Sequence, residues 1–384
     1  SPQAVRPPTL ARDLTMRTSW TASALLLSTL TLAPGCDEAY LDGEDISDGE
    51  VTERCLGAGC SSGPISNTSK IGDHDLSNLA LAFNQAAANT GGSVKIVGGA
   101  GYFGANPVPI TEVAVDGDGE LRLKLGTAGW IAGVAVKKAW FNLIVTPSDG
   151  NQAPFSGKLM VADVHCDPGQ EDPSMTICRY EFVTNVLPAD PNQYPQHTEF
   201  PGYYHTCPLQ DEGGALSATE KYAAVLSPNA TLYVPSTGAP RINVSPGYYI
   251  NGCLNGAVSK GQYHLNAFYD ANAYRGLDPK QRTAMLLMWM AWHQGASRTQ
   301  PGKKIWPHDP IGGLFTWTSL STWDVEAGYG ISGASCRGTG PGLATGLHRN
   351  YTAPTLTLVG WSALPPCTAG TLDQYAVLGV KVEK

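Results

Sequence analysis

The stretch from Met16 to Cys36, MRTSWTASALLLSTLTLAPGC, sets the compartment and therefore the kind of fold open to everything that follows it. Arg17 supplies a positive charge, Ala22 to Leu32 a short apolar run, and Ala33-Pro34-Gly35 the small residues that precede a cleavage point. Roughly 17 mostly apolar residues are short for a membrane span, and the acidic segment that follows has nothing to pack against it. The pattern predicts an export signal removed before Cys36. Residues 1–15 are proline-rich, polar and without an apolar period, so residues 1–35 read as upstream sequence plus signal.

An exported chain meets an oxidising environment, and this one carries nine cysteines: Cys36, Cys55, Cys60, Cys166, Cys178, Cys207, Cys253, Cys336 and Cys367. Setting Cys36 aside leaves an even number, as a set of disulfides requires. Spacing favours local closures Cys55 to Cys60 and Cys166 to Cys178, then Cys207 with Cys253 and Cys336 with Cys367. That is one scheme among roughly a hundred that eight cysteines allow. The rival reading is a zinc site, but the chain has no CxxC pair and its spacings fit no zinc ribbon, so no metal or other cofactor is expected.

The residues before Cys36 resemble a bacterial lipobox, with Ala33 where a leucine is usual. The resemblance implies a diacylglycerol on the Cys36 thiol, hence a membrane contact through a lipid anchor and a place in the cell envelope, outside the cytoplasm. Residues 36–70 then read as a tether. DEAYLDGEDISDGEVTE places an acidic residue at nearly every second position and offers almost nothing to bury.

Lys and Arg total 25 against 33 Asp and Glu, a net charge of −8, and no basic cluster exceeds Lys137-Lys138 and Lys303-Lys304. Binding to nucleic acid needs a concentrated basic face, so that class of partner is not expected. With charged residues at only 15% and 44 Gly and 28 Pro, the composition favours strands and turns over long surface helices.

Leu76 to Ala88 spaces its apolar residues as a short amphipathic helix would, with Asp75 as its cap, or forms an irregular apolar run. From Ser93 the pattern becomes alternating: VKIVG, TEVAV, the turn Asp116-Gly117-Asp118-Gly119, and ELRLKL form a hairpin signal. The DGDG run lacks the further acidic ligands of a calcium loop and reads as a plain turn. AGVAVKKAWFNLIV and FSGKLMVADVHC add strands. Alternation puts Asp163, His165 and Asp167 on one face, where a solvated strand end is the expectation and a metal or acid–base cluster the sharper alternative. His197 and His205 read as ordinary surface histidines. Pro- and Gly-rich residues 188–206 mark a boundary between a β-rich lobe, 71–200, and a C-terminal lobe, 201–384.

The clearest helix runs from Asp278 to about Gln294: Asp278 caps it, Pro279 takes the first helical position, and Gly295 stops it. No residue between Thr283 and Trp292 is charged, so the helix is expected to be buried on most faces. The expected fold class is α+β, mainly antiparallel sheet, with one buried helix in the C-terminal lobe.

Several blocks between Cys253 and Cys336 fall in the order seen in a family of exported bacterial proteins. Cys253-Leu254-Asn255-Gly256-Ala257-Val258-Ser259-Lys260 comes first. Gly302, Ile305, Asp309 and Gly312 follow, then Val325-Glu326-Ala327-Gly328-Tyr329 with Gly333-Ala334 and Cys336. The series resembles the ADYC domain, although Ala291-Trp292-His293-Gln294 stands where the naming tetrapeptide would be, and cysteines expected at Gly261, Met285 and Gln294 are missing. The resemblance implies export and a cell-surface setting and brings no functional residues with it.

No G-x-S-x-G elbow, phosphate loop or HExxH motif occurs. Absent a catalytic motif, the reading is a non-enzymatic envelope module that binds a protein or glycan partner through its C-terminal lobe. The alternative is a secreted hydrolase acting on an envelope or extracellular polymer through His293, Asp309 or Glu326, provided a cleft joins them.

Overall fold

The computed structural model describes residues 65–66, 71–168, 176–188, 192–208, 222–254, 256–260, 279–293, 295–297, 304–308, 325–337, 364–367 and 377–380. After β1 (Ile65–Ser66), one large sheet takes in β2 (Asn78–Ala80), β3 (Ala86–Asn89), β4 (Gly92–Phe103), β5 (Asn106–Val115), β6 (Leu121–Leu125) and β7 (Gly129–Ala132). It continues with β8 (Trp140–Pro147), β9 (Phe155–Pro168), β10 (Thr176–Thr184), β11 (Tyr204–His205), β12 (Ala223–Tyr233) and β13 (Arg241–Cys253). Its order is β2-β13-β12-β10-β9-β8-β4-β5-β6-β7, with β3 on β4 and β11 on β10, and every pairing is antiparallel. The α+β class, mainly antiparallel sheet, is the fold observed.

The strands form where the sequence alternates. In β6, Leu121, Leu123 and Leu125 are fully buried while Arg122 between them is exposed. Upstream of it, Asp116 closes the DGDG turn: its Oδ1 accepts from the amides of Asp118 and Glu120, both at 3.0 Å, and Gly119 takes φ +86°. The core of the large sheet gathers Val94, Ile96, Phe141, Leu143, Leu159, Val161, Tyr180, Phe182, Leu226 and Tyr249 from six strands. Leu226 and Tyr249 lie beyond the boundary read at residues 188–206, yet they share this core, because β10 and β12 are hydrogen-bonded neighbours.

A second apolar cluster surrounds α1 (Pro279–Trp289). Thr283 through Trp289 are all buried, against Leu232, Ile242 and Ile250 of the large sheet and, in the small sheet, Ala327 and Tyr329. That small sheet has the order β1-β16-β19-β17-β18, with β16 (Lys304–His308), β17 (Val325–Gly330), β18 (Gly333–Arg337) and β19 (Val377–Val380). Helix α1 is thus the buried helix expected from the uncharged stretch that begins at Thr283. No helix among the described residues is long and apolar enough to cross a membrane.

Two expectations need correction. Leu76 to Ala88 is not a helix: Asn78–Ala80 pairs with β13 and Ala86–Asn89 with β4, while Asn84 sits at φ +65°. Partner strands on both sides satisfy the backbone and override the helix preference of alanine. Helix α1 also ends at Trp289 and does not reach Gln294. Ala291 turns left-handed at φ +44°, and Trp292–His293 (β14) folds back on Ala296–Ser297 (β15) around Gly295.

Candidate functional site

Alternation along β10 sends Tyr180 and Phe182 into the core and leaves Glu181 on the opposite face. Its strand partner there is Asp163 of β9. The chain then returns over this face: β11 pairs with β10, placing His205 against Val183, and the amide of Thr206 donates to the carbonyl of Phe182 at 3.0 Å. The result is a carboxylate held between two imidazoles. Glu181 Oε1 lies 3.0 Å from His205 Nδ1 and 3.4 Å from His197 Nε2, and the side chains of Glu181, His197 and His205 are 15%, 11% and 7% exposed.

The hydrogen bonds fix the proton on one ring. His197 Nδ1 accepts from the amide of Glu199 at 3.1 Å, so the neutral ring carries its proton on Nε2 and turns it toward Glu181. Burial holds the His197 pKa below the usual histidine range, and His205 pushes the same way, although the Glu181 carboxylate opposes both. The His205 ring is stacked on Tyr222 with centroids 3.6 Å apart, and the His197 ring packs on Phe200 at 4.9 Å. Beside them Lys137 Nζ and Asp163 Oδ1 are 2.7 Å apart. Burial alone would raise the Asp163 pKa, but the bond from Lys137 and the amide of Val164 outweigh it and hold the carboxyl below its usual range. The hydrogen bond to Asp163 likewise raises the pKa of Lys137.

Chemically this is a pair of buried imidazoles on one carboxylate, of which His197 has its tautomer set. His205 Nδ1 approaches Glu181 without the geometry of a hydrogen bond, so a small rotation of the ring would be needed before the carboxylate could orient it as a general base. The sequence reading of His197 and His205 as ordinary surface histidines is corrected here, since both are buried against Glu181. Asp163, which alternation singled out, belongs to the cluster; Asp167 lies on the same strand, and its side chain is outside the described residues. A signal for Glu181 was present: if Cys166 bonds Cys178 across an antiparallel pair, Asp163 must fall opposite Glu181. Nothing local in the sequence marks His197 and His205, which reach the site from a connecting segment.

Of the residues proposed from sequence for catalysis, His293 is the one whose side chain is described. His293 sits in β14, half-buried beside β18. Glu326 contributes backbone to β17, and its side chain lies outside the described residues, as do Asp309 and Cys36.

Three disulfides join Cys166 to Cys178, Cys207 to Cys253 and Cys336 to Cys367, the pairings that spacing favoured. Cys55 and Cys60 lie outside the described residues. The Cys166–Cys178 bond staples directly opposed residues of β9 and β10, three positions from Glu181. Cys207–Cys253 ties the segment carrying His205 to the end of β13. A chain stabilised in this way belongs outside the reducing cytoplasm. No protein-family model, curated protein or solved structure matches the chain.

Proposed function

We propose that this chain is an exported cell-envelope protein, anchored by lipid on Cys36, held away from the membrane by the acidic tether of residues 36–70, and serving as a binding module related to the ADYC domain. The observation that carries the reading is the set of three disulfides at the spacing expected of an exported chain. Its partner is a protein or glycan of the envelope. The test is the intact mass of the native protein from the membrane fraction, before and after reduction and alkylation. A diacylated chain beginning at Cys36, alkylated at eight cysteines only after reduction, is the expected result; a chain beginning elsewhere with free thiols would remove the reading.

A second reading is favoured by one specific contact, the 3.0 Å approach of Glu181 to His205 Nδ1. It assigns the protein acid–base hydrolysis of an extracellular polymer, with His205 as general base and Glu181 orienting it. Hydrolysis of envelope glycans or esters that disappears in His205→Gln, with the fold retained, would support it. Equal turnover by parent and variant would end it.

A further inference from the structure

On the core side of the same sheet a second group of side chains converges. His74, Cys207 and Cys253 bring ligand atoms within 4.8 Å of one another, the one such trio among the described residues, and all three are buried. They come from three separate pieces of chain: the loop before β2, the residue two past His205, and the last residue of β13. We propose that reduction of the Cys207–Cys253 disulfide opens a buried site for a zinc-class divalent cation, with the two thiolates and His74 Nδ1 as ligands.

The orientation of His74 carries the argument. Its Nε2–H donates to the carbonyl of Asn251 at 2.9 Å, which leaves the lone pair on Nδ1, and that atom accepts only a 3.2 Å bond from the amide of Leu76. Metal-bound histidines characteristically hold their second N–H on a carbonyl in this way, which fixes the ring and its tautomer. The Asn251 carbonyl therefore fixes the ring and its tautomer, and a cation at Nδ1 takes the place of the Leu76 amide. Two thiolates and an imidazole are a borderline-soft donor set that favours zinc over calcium or magnesium.

A second observation comes from Asn251. It precedes Cys253 by two residues on β13, so its side chain falls on the same face, and both atoms of its buried amide lack a hydrogen-bond partner among the described residues. An orphaned amide on the strand face of Cys253 is a candidate for the fourth position, through Asn251 Oδ1 or a water that the amide holds. The chemistry balances. A dithiol reductant gives two electrons and two protons to Cys207–Cys253 and becomes a disulfide, and the cation then displaces the two thiol protons.

The test uses the full chain purified with its disulfides intact, reduced with a non-chelating phosphine and titrated with cobalt(II), then with zinc. The reduced parent is expected to show thiolate-to-cobalt absorption that saturates at one equivalent attributable to this site and is abolished by zinc. The oxidised parent is expected to show none. Cys207→Ser/Cys253→Ser should lose that equivalent, Cys166→Ser/Cys178→Ser should keep it, and His74→Gln should weaken it by about 100-fold. His74→Gln leaves the disulfide intact, so it decides the matter if the serine pair does not fold. Zinc should also slow reoxidation of the reduced parent by at least about tenfold, since it occupies both sulfurs. Equal absorption in the Cys207→Ser/Cys253→Ser protein would overturn the proposal, and so would a reduced, folded parent with no absorption. Weak, unsaturable uptake by every variant would mean adventitious metal only, and would overturn it as well.

Discussion

The backbones of Gly72 and Gly256 cross so closely that a Cβ on Gly256 would lie 2.1 Å from the Cα of Gly72. The crossing is laced on either side, by the Cys253 amide to the Gly72 carbonyl and by the Val258 amide to the Ile71 carbonyl, both 3.1 Å. It presses the segment bearing His74 against the end of β13, where Cys253 is bonded to Cys207. Two glycines distant in sequence thus position one disulfide and one histidine.

Gly256→Ala is expected to destabilise the protein by about 2–3 kcal/mol, because backbone would have to move to admit the methyl group. Gly104→Ala is the comparison: φ is +62° there but nothing lies within 4 Å, so only the left-handed conformation is penalised, at about 1 kcal/mol. Urea unfolding of both checks the difference. Equal losses would mean that the crossing is not what the Gly256 position requires.

Tyr180 and Tyr249 are both fully buried tyrosines of one core with opposite hydrogen-bond status. The Tyr180 hydroxyl accepts from the Leu121 amide at 2.7 Å, whereas the Tyr249 hydroxyl has no partner among the described residues. Tyr180→Phe should cost about 1–2 kcal/mol by orphaning a buried N–H. Tyr249→Phe should be neutral or stabilising, since it removes a polar group buried without compensation. Thermal unfolding of the two variants is the measurement, and a larger loss in Tyr249→Phe would contradict the assignment.

Stability should fall on acidification through His74. Burial lowers its pKa to about 4 in the folded protein, against an ordinary value of 6.5. A base with a depressed folded pKa contributes fully above the unfolded value, and the contribution is lost as pH falls from 6.5 toward 4, because only the unfolded chain takes the proton. The oxidised protein is therefore expected to lose about 3 kcal/mol across that window from this ring. Urea midpoints at several pH values would show it, and His74→Gln should flatten the dependence.

The disulfides should rank by the chain they close. Cys207–Cys253 spans 46 residues and Cys166–Cys178 only 12, so replacing the first pair by serine should cost about 4 kcal/mol and the second about 3 kcal/mol. The first replacement should also loosen the hold of His205 on Glu181, readable as a change in the histidine proton resonances. Resonances of His197 and His205 that match the parent would show that β11 is held by its strand pairing alone.

Much of this molecule is legible in its sequence because strand alternation and cysteine chemistry are local. Leu121, Leu123 and Leu125 point inward because polar residues separate them, α1 is buried from Thr283 onward because that stretch carries no charge, and the three observed disulfides join the cysteines that spacing paired. Asp163 announced itself by the same alternation. What stayed hidden depends on contacts between distant segments. Leu76 to Ala88 spaces its apolar residues as a short helix or an irregular run would, yet Ala86–Asn89 becomes strand because β4 offers it hydrogen bonds. Glu181, His197 and His205 meet because the chain after β10 doubles back and pairs its own strand, and His74 meets Cys207 and Cys253 because the Gly72–Gly256 crossing and the pairing of β2 with β13 bring its loop to the end of β13. Sequence fixes which residues prefer the interior and which can bond; only the closed fold brings carboxylate, imidazole and sulfur from separate strands within reach of one another.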